Sequence, residues 1–316
     1  MAGTDHIQAT LTSDPQSRAG ALMRGATYAS VTVAGVLVAC KLAAWLITGS
    51  VAVMSSMIDS GLDMGASLVN LWAVRHALTP ADREHRFGHG KAEALAGLAQ
   101  SAFIAGSALF LVIEAGSRLF SPHVVAHSTI GIGVMVLSIV LTLALVLFQR
   151  FVIRHSGSVA ISADSLHYTG DLLANLAVIA ALLLAVGLGW QLADPIFAIL
   201  VAGYIFSSAY GIFRRALDQL MDRELPEEQR RRIKEIAQAH PEVAAVHDLR
   251  TRSSGMQTFI QLHLEMDGRL PLHRAHDVAD AVEHEILQAF PEAEVIIHED
   301  PAGIEKDASH FQPAQS

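Results

Sequence analysis

Four ionisable residues interrupt stretches of this sequence that are otherwise apolar. Asp59 and Asp63 lie in MIDSGLDMG, and His167 and Asp171 lie in LHYTGDLL. Each pair is spaced i, i+4, so on a helix both members share one face about a turn apart. An ionised carboxylate in mid-bilayer costs at least about 2.5–3.5 kcal/mol and is kept there with a partner or a task. Two helices facing each other with these pairs present three carboxylates and one imidazole, a donor set that suits tetrahedral Zn²⁺. Metal and protons compete for the same lone pairs. The chemistry that follows is exchange of a divalent metal for protons at one shared site. The alternative is a structural hydrogen-bond cluster joining two helices. Ser60, Gly61, Gly65, Ala66, Gly170 and Ala174 permit close helix approach under either reading. Lys41 and Glu114 fall nearer the ends of their apolar runs and are expected to snorkel, without chemistry. Asp164 is expected near the inner mouth, with a weak part in admitting cations.

Two further groups carry ligand chemistry. In PADREHRFGHGKAE, Asp82, His85 and His89 offer three donors on a short loop, although the spacing is no strict zinc signature and a merely solvated loop stays open. In FIQLHLEM, alternation puts Ile260, Leu262, Leu264 and Met266 on one strand face and Gln261, His263 and Glu265 on the other. His247, His276 and the His298-Glu299-Asp300 run lie near strand ends or on a long helix, so one or two metals could bind there. Scattered surface histidines are the alternative, and His273 and His284 are expected to be such. No H-E-x-x-H motif is present, and a full four-ligand shell leaves no position for an attacking water. These points argue against a metallohydrolase, and the chain is expected not to be an enzyme. A membrane metal sensor or store without transport is the competing reading, but it leaves the buried quartet unexplained.

The elements that must hold these residues follow from composition. The 316 residues are 52% hydrophobic and 17% charged, with a mean hydropathy of +0.38, as in a membrane protein. Six apolar runs approach the ~20 residues that a bilayer span requires, at about 24–48, 51–74, 92–120, 124–149, 158–187 and 192–216. At ~1.5 Å per residue both ionisable pairs fall near the midplane. Arg18, Arg24, Arg75, Arg83, Arg86, Lys91, Arg150, Arg154, Arg214 and Arg215 fall on one side, which makes both termini cytoplasmic. Residues 1–20 are expected to be a flexible tail, 21–217 the membrane domain, 218–300 a small α+β domain of order α-β-β-α-β, and 301–316 a disordered tail. The net charge of −9 sits in the last part: from Asp218 onward, 20 acidic residues face 10 basic ones. That field repels nucleic acid and draws cations. The single cysteine, Cys40, excludes an intramolecular disulfide and a thiolate-rich zinc site. Histidine is abundant, at 16 residues.

DSGLDMGASLVN, FGHGKAEALAGLAQS, LHYTGD, HDLRTRSSG, FIQLHLEM and VIIHEDP together resemble the cation diffusion facilitators, most closely their bacterial zinc and ferrous-iron efflux members. The resemblance runs from about Arg24 to Pro301. It implies a proton antiporter of the bacterial inner membrane, a homodimer with a metallochaperone-like C-terminal domain at the dimer contact. It implies a transport site at Asp59, Asp63, His167 and Asp171 and a loop site at Asp82, His85 and His89. It also implies a cytoplasmic binuclear site at His247, His263, His276, His298 and Asp300, with Glu299 less specific. A charge interlock between domains is similar to what Lys91 and Asp222 could form. Histidine at the first position of the fifth-span pair implies Zn²⁺ and Cd²⁺ as cargo, with Fe²⁺ open. Zinc is then both cargo and a structural or regulatory ligand, with no catalytic cofactor.

Overall fold

A computed structural model describes residues 15–49, 51–120, 129–188, 190 and 192–303. The outer parts of both expected tails (1–14 and 304–316) and the expected start of the fourth span at 124 lie outside the described residues. The chain divides into two compact units, Met1–Leu217 and Asp218–Ser316.

Among the described residues, the first unit is built of six long helices: α1 (Pro15–Thr48), α2 (Val51–Ala77), α3 (Lys91–Phe120), α4 (Thr129–Ser156), α5 (Val159–Leu188) and α6 (Ala193–Leu220). The shortest has 27 residues, about 40 Å of helix, so each exceeds the ~30 Å hydrocarbon core of a bilayer. Residues 15–20, expected to be tail, form the first turns of α1. A proline opens that helix, at a position where a missing N–H costs no hydrogen bond. Among the described residues, Arg18–Thr48, Lys91–Gly116, Gly133–Ser156 and Ala193–Leu220 are long and apolar enough to cross a membrane. The unit's other two helices, α2 and α5, carry the ionisable pairs. Leu46, Ile47, Trp72, Phe110, Leu183, Leu188 and Leu200 are all largely exposed. So much bare apolar surface suits a lipid surround and not water.

α5 is the axis of the unit, packing against α3 and α4 and touching α1 and α2. Val159, Ala163 and Leu166 of α5 join Ile104 and Ala108 of α3 and Ile205, Ala209 and Ile212 of α6 in one buried cluster. The start of α5 is fixed twice. The Ser158 hydroxyl accepts the Ile161 N–H at 3.1 Å, and the buried Glu93 carboxylate of α3 accepts the Val159 N–H at 2.7 Å. Both satisfy donors that the first helical turn leaves without a partner.

In the second unit, α7 (Glu227–Gln238) precedes β1 (Ala245–Ser254), β2 (Gln257–Met266), α8 (Leu272–Ala289) and β3 (Ala293–Pro301). This is the expected order. The sheet runs β1-β2-β3, antiparallel between β1 and β2 and parallel between β2 and β3, with α8 as the crossover. Ile260, Leu262, Leu264 and Met266 of β2 pack with Val278, Val282 and Ile286 of α8 and with Ile233 and Ala237 of α7. Both helices therefore cover one sheet face, and the polar half of FIQLHLEM lies on the other.

Gly97 marks the closest approach of α3 to α5. A Cβ there would stand 2.7 Å from Val159 Cγ1 and 3.4 Å from the Val159 backbone. Gly97→Ala should destabilise the helical unit by about 1–3 kcal/mol, read as a lower unfolding temperature in detergent. Gly106→Ala on the same helix meets nothing within 4 Å and should not.

Candidate metal centre

Three clusters of ligand-bearing side chains stand out among the described residues, each with its donor atoms within 4.8 Å of one another: Asp63, His167 and Asp171; Asp82, His85 and His89; His247, His263 and Asp300.

The first lies inside the helical unit. His167 Nε2 of α5 is 2.9 Å from Asp63 Oδ1 of α2 and 3.8 Å from Asp171 Oδ2 one turn along its own helix. The i, i+4 spacing of the sequence thus becomes a single donor triangle spanning two helices. Asp59, Asp63 and Asp171 line one cavity of about 200 Å³, with Ser56, Ser60, Ser138, Thr142 and Asn175 among its polar walls. Asp59 stands at that cavity but outside the 4.8 Å triangle. Just beside the triangle, Tyr168 Oη and Ser67 Oγ share a buried hydrogen bond of 2.8 Å that ties α5 to α2.

Two residues behave differently from the expectation drawn on sequence. Lys41 does not snorkel. Its Nζ donates to Ser60 Oγ at 2.6 Å and to the Ser56 carbonyl at 3.2 Å, and it lines the same cavity as the carboxylates. Position along α1 suggested an outward lysine, but hydrogen-bond acceptors on the neighbouring helix decide its direction. Asp164 is not at an open mouth either: it is 1% exposed. Its Oδ2 accepts from the Ser30 hydroxyl and from Gln149 Nε2 at 2.7 Å, and its Oδ1 accepts from Gln100 Nε2 at 3.3 Å. This network joins α1, α3, α4 and α5 around one carboxylate. Ser30, Gln100 and Gln149, three hydrogen-bonding residues inside apolar runs, were the signal that could have revealed it.

The second cluster folds the loop before α3. Asp82 Oδ1 accepts the N–H of His85 at 2.6 Å and of Glu84 at 2.8 Å. These backbone donors, His85 first, hold its carboxyl below the usual range, and the nearby imidazoles add to this. His89 Nε2 is 3.4 Å from Asp82 Oδ2, and His85 Nδ1 is 3.6 Å from Asp82 Oδ1. His89 is buried, and its Nδ1 lies 3.4 Å from the Thr79 carbonyl. Its Nε2 is the ring nitrogen that faces Asp82. His76 at the end of α2, not singled out on sequence, packs its ring edge-on to His89 with centroids 4.5 Å apart.

The third cluster is a product of strand register. His247 pairs with His263, and His263 pairs with His298, so three imidazoles lie side by side across β1, β2 and β3. Their ring centroids are 5.0 Å and 4.6 Å apart. Asp300 joins them, at 2.8 Å from His263 Nδ1, 3.2 Å from His298 Nε2 and 3.4 Å from His247 Nε2. Glu299, one residue earlier, falls on the opposite face by alternation. His276 is not brought in: it sits exposed on α8, 3.5 Å from Asp280. Asp248 is brought in unannounced. It has a φ of 44° at a register shift in β1, and this bulge turns its carboxylate to 3.8 Å from His263 Nε2. Asp222 forms an ion pair with Arg252 at 3.4 Å within the second unit.

Residues 27–221 match the family of the cation efflux transmembrane domain, and residues 225–302 match the cation efflux protein cytoplasmic domain. The chain belongs to the cation efflux family. It is 49% identical over 280 residues to the Cation-efflux pump FieF of Shewanella oneidensis strain MR-1, covering 89% of this chain and 94% of that protein. To the protein of the same name from Salmonella choleraesuis strain SC-B67 it is 47% identical over 288 residues, covering 90% and 95%. Among solved structures it is similar to the metal-bound C-terminal domain of the CzcD transporter from Thermotoga maritima, at 29% identity over 25% of this chain and 93% of that one. The TM-score of 0.24 is below the level from which a shared fold follows. This cation efflux protein is therefore a multi-pass membrane transporter of metal cations and not an enzyme.

Asp164→Ala should remove the three side-chain hydrogen bonds that it accepts from Ser30, Gln100 and Gln149, at about 0.5–1.5 kcal/mol for each bond. The expected readout is a lower unfolding temperature together with an unchanged zinc stoichiometry of the purified protein.

Proposed function

We propose that this cation efflux protein exports a divalent transition metal, zinc foremost and cadmium or ferrous iron besides, from the cytoplasm in exchange for protons. Asp59, Asp63, His167 and Asp171 are the shared site. The observation that supports this most is the meeting of Asp63, His167 and Asp171, from two different helices, at a polar cavity that Asp59 also lines. One imidazole with carboxylates suits zinc, and at such an N/O site the Irving–Williams order ranks zinc above iron. Metal arriving displaces protons from these lone pairs, and protons arriving displace metal.

In this reading the protein lies in the bacterial inner membrane with both termini in the cytoplasm. It acts as a homodimer joined through the cytoplasmic unit. Asp82, His85 and His89 bind zinc at the loop. His247, His263, His298 and Asp300 bind it in the cytoplasmic unit. Zinc in these two sites is a structural or regulatory ligand. The relatives' name, cation-efflux pump, supports the direction of transport.

Reconstitution in vesicles with an internal zinc dye tests the exchange. With an acidic interior, zinc uptake should rise with the size of the pH gradient and fall at least about ten-fold in Asp63→Ala and in His167→Ala. Zinc bound without flux would instead mark a membrane sensor or store. His263→Ala should weaken dimerisation or metal activation while leaving part of the transport. Wild-type flux in that variant at every zinc concentration would remove the regulatory role.

A further inference from the structure

The transport cavity contains a cation of its own. Lys41 on α1 reaches across to α2, where Ser60 Oγ and the Ser56 carbonyl take two of its three ammonium protons at 2.6 and 3.2 Å. Those acceptors lie within one turn of Asp59. The same cavity is lined by the carboxylates of Asp59, Asp63 and Asp171. A lysine that served only to anchor α1 in the lipid headgroups would point along the helix to the interface. This one is turned inward and held by a short hydrogen bond.

We propose that Lys41 is a built-in counter-cation of the transport cavity, whose positive charge limits how tightly the cavity holds a divalent ion and so allows its release. The inference rests on the exchange reading above. Three carboxylates and one ammonium leave the cavity at minus two when His167 is neutral. One divalent cation neutralises that charge, and a large net charge is costly in a site inside a bilayer. Without Lys41 the same carboxylates stand at minus three. The metal is then bound by an extra unit of negative charge in a region of low dielectric, where such a charge acts strongly. Lys41 touches no cargo in this account. It acts through the carboxylates and is a positioning residue for their electrostatics.

The test uses the full-length protein in nanodiscs and in proteoliposomes. Zinc titration isolates the binding component that Asp63→Ala removes. In Lys41→Met, the Kd of that component should fall by about ten-fold or more, while both KM and the maximal rate of zinc flux fall. Lys41→Arg, which keeps the charge, should restore both. Ser60→Ala removes the hydrogen bond but keeps the charge, and should leave Kd near that of the unaltered protein. Lys41→Gln takes the place of Lys41→Met if the latter is not monodisperse. An unaltered Kd and flux without the lysine would overturn the proposal. So would a Ser60→Ala variant that reproduces the Lys41→Met behaviour, since the lysine would then act only by fastening α1 to α2. If Asp63→Ala itself leaves flux intact, the exchange reading fails and the proposal falls with it; if Asp63→Ala abolishes flux and Lys41→Met changes nothing, the proposal alone fails.

Discussion

The contact between His167 and Asp63, 2.9 Å across the α2–α5 interface, is the constraint around which the membrane unit is arranged. It requires two helices carrying ionisable groups to approach closely in a setting where neither group can turn to bulk water. Small residues give the approach. Gly97 lets α3 lie against the start of α5, where a methyl group would already collide with Val159. The Tyr168–Ser67 bond fixes the rotation of α5 against α2 one residue from the histidine. The Asp164 network holds α5 to α1, α3 and α4. A buried carboxylate held by side chains of three other helices is stiff, so α5 presents His167 and Asp171 from a fixed mount.

The cytoplasmic unit reaches a similar donor density by a different route. A sheet needs no i, i+4 spacing: neighbouring strands in register bring residues far apart in sequence to about 5 Å. His247, His263 and His298 are such a row, and Asp300 closes it from the end of β3. Because α7 and α8 cover the other face, the apolar half of β2 anchors the sheet while the histidine half stays accessible. The bulge at Asp248 then turns a carboxylate to the row that strict alternation would not supply.

The three clusters differ in how their side chains are held. In the loop, Asp82 is fixed by two backbone N–H donors and His89 by the Thr79 carbonyl, so local turn chemistry orients both side chains. In the membrane unit, Asp63, His167 and Asp171 meet one another across α2 and α5.

Much of this was legible in the chain alone. The six apolar runs, the order of the cytoplasmic elements and the two intramembrane pairs follow from hydropathy and period, because a bilayer forbids charge without purpose and helix and strand each have one repeat. The clustering of Asp82, His85 and His89 was legible because they are close in sequence. Tertiary structure alone decided the rest. Lys41 turns toward the carboxylates because Ser56 and Ser60 lie across from it on another helix. Asp164 is sealed because glutamines from two other helices converge on it. Asp248 joins the histidine row through a register shift, and His276 stays out of it because its helix keeps it exposed, 3.5 Å from Asp280. Spacing within one element is encoded locally, whereas direction across an interface depends on acceptors that no local window contains.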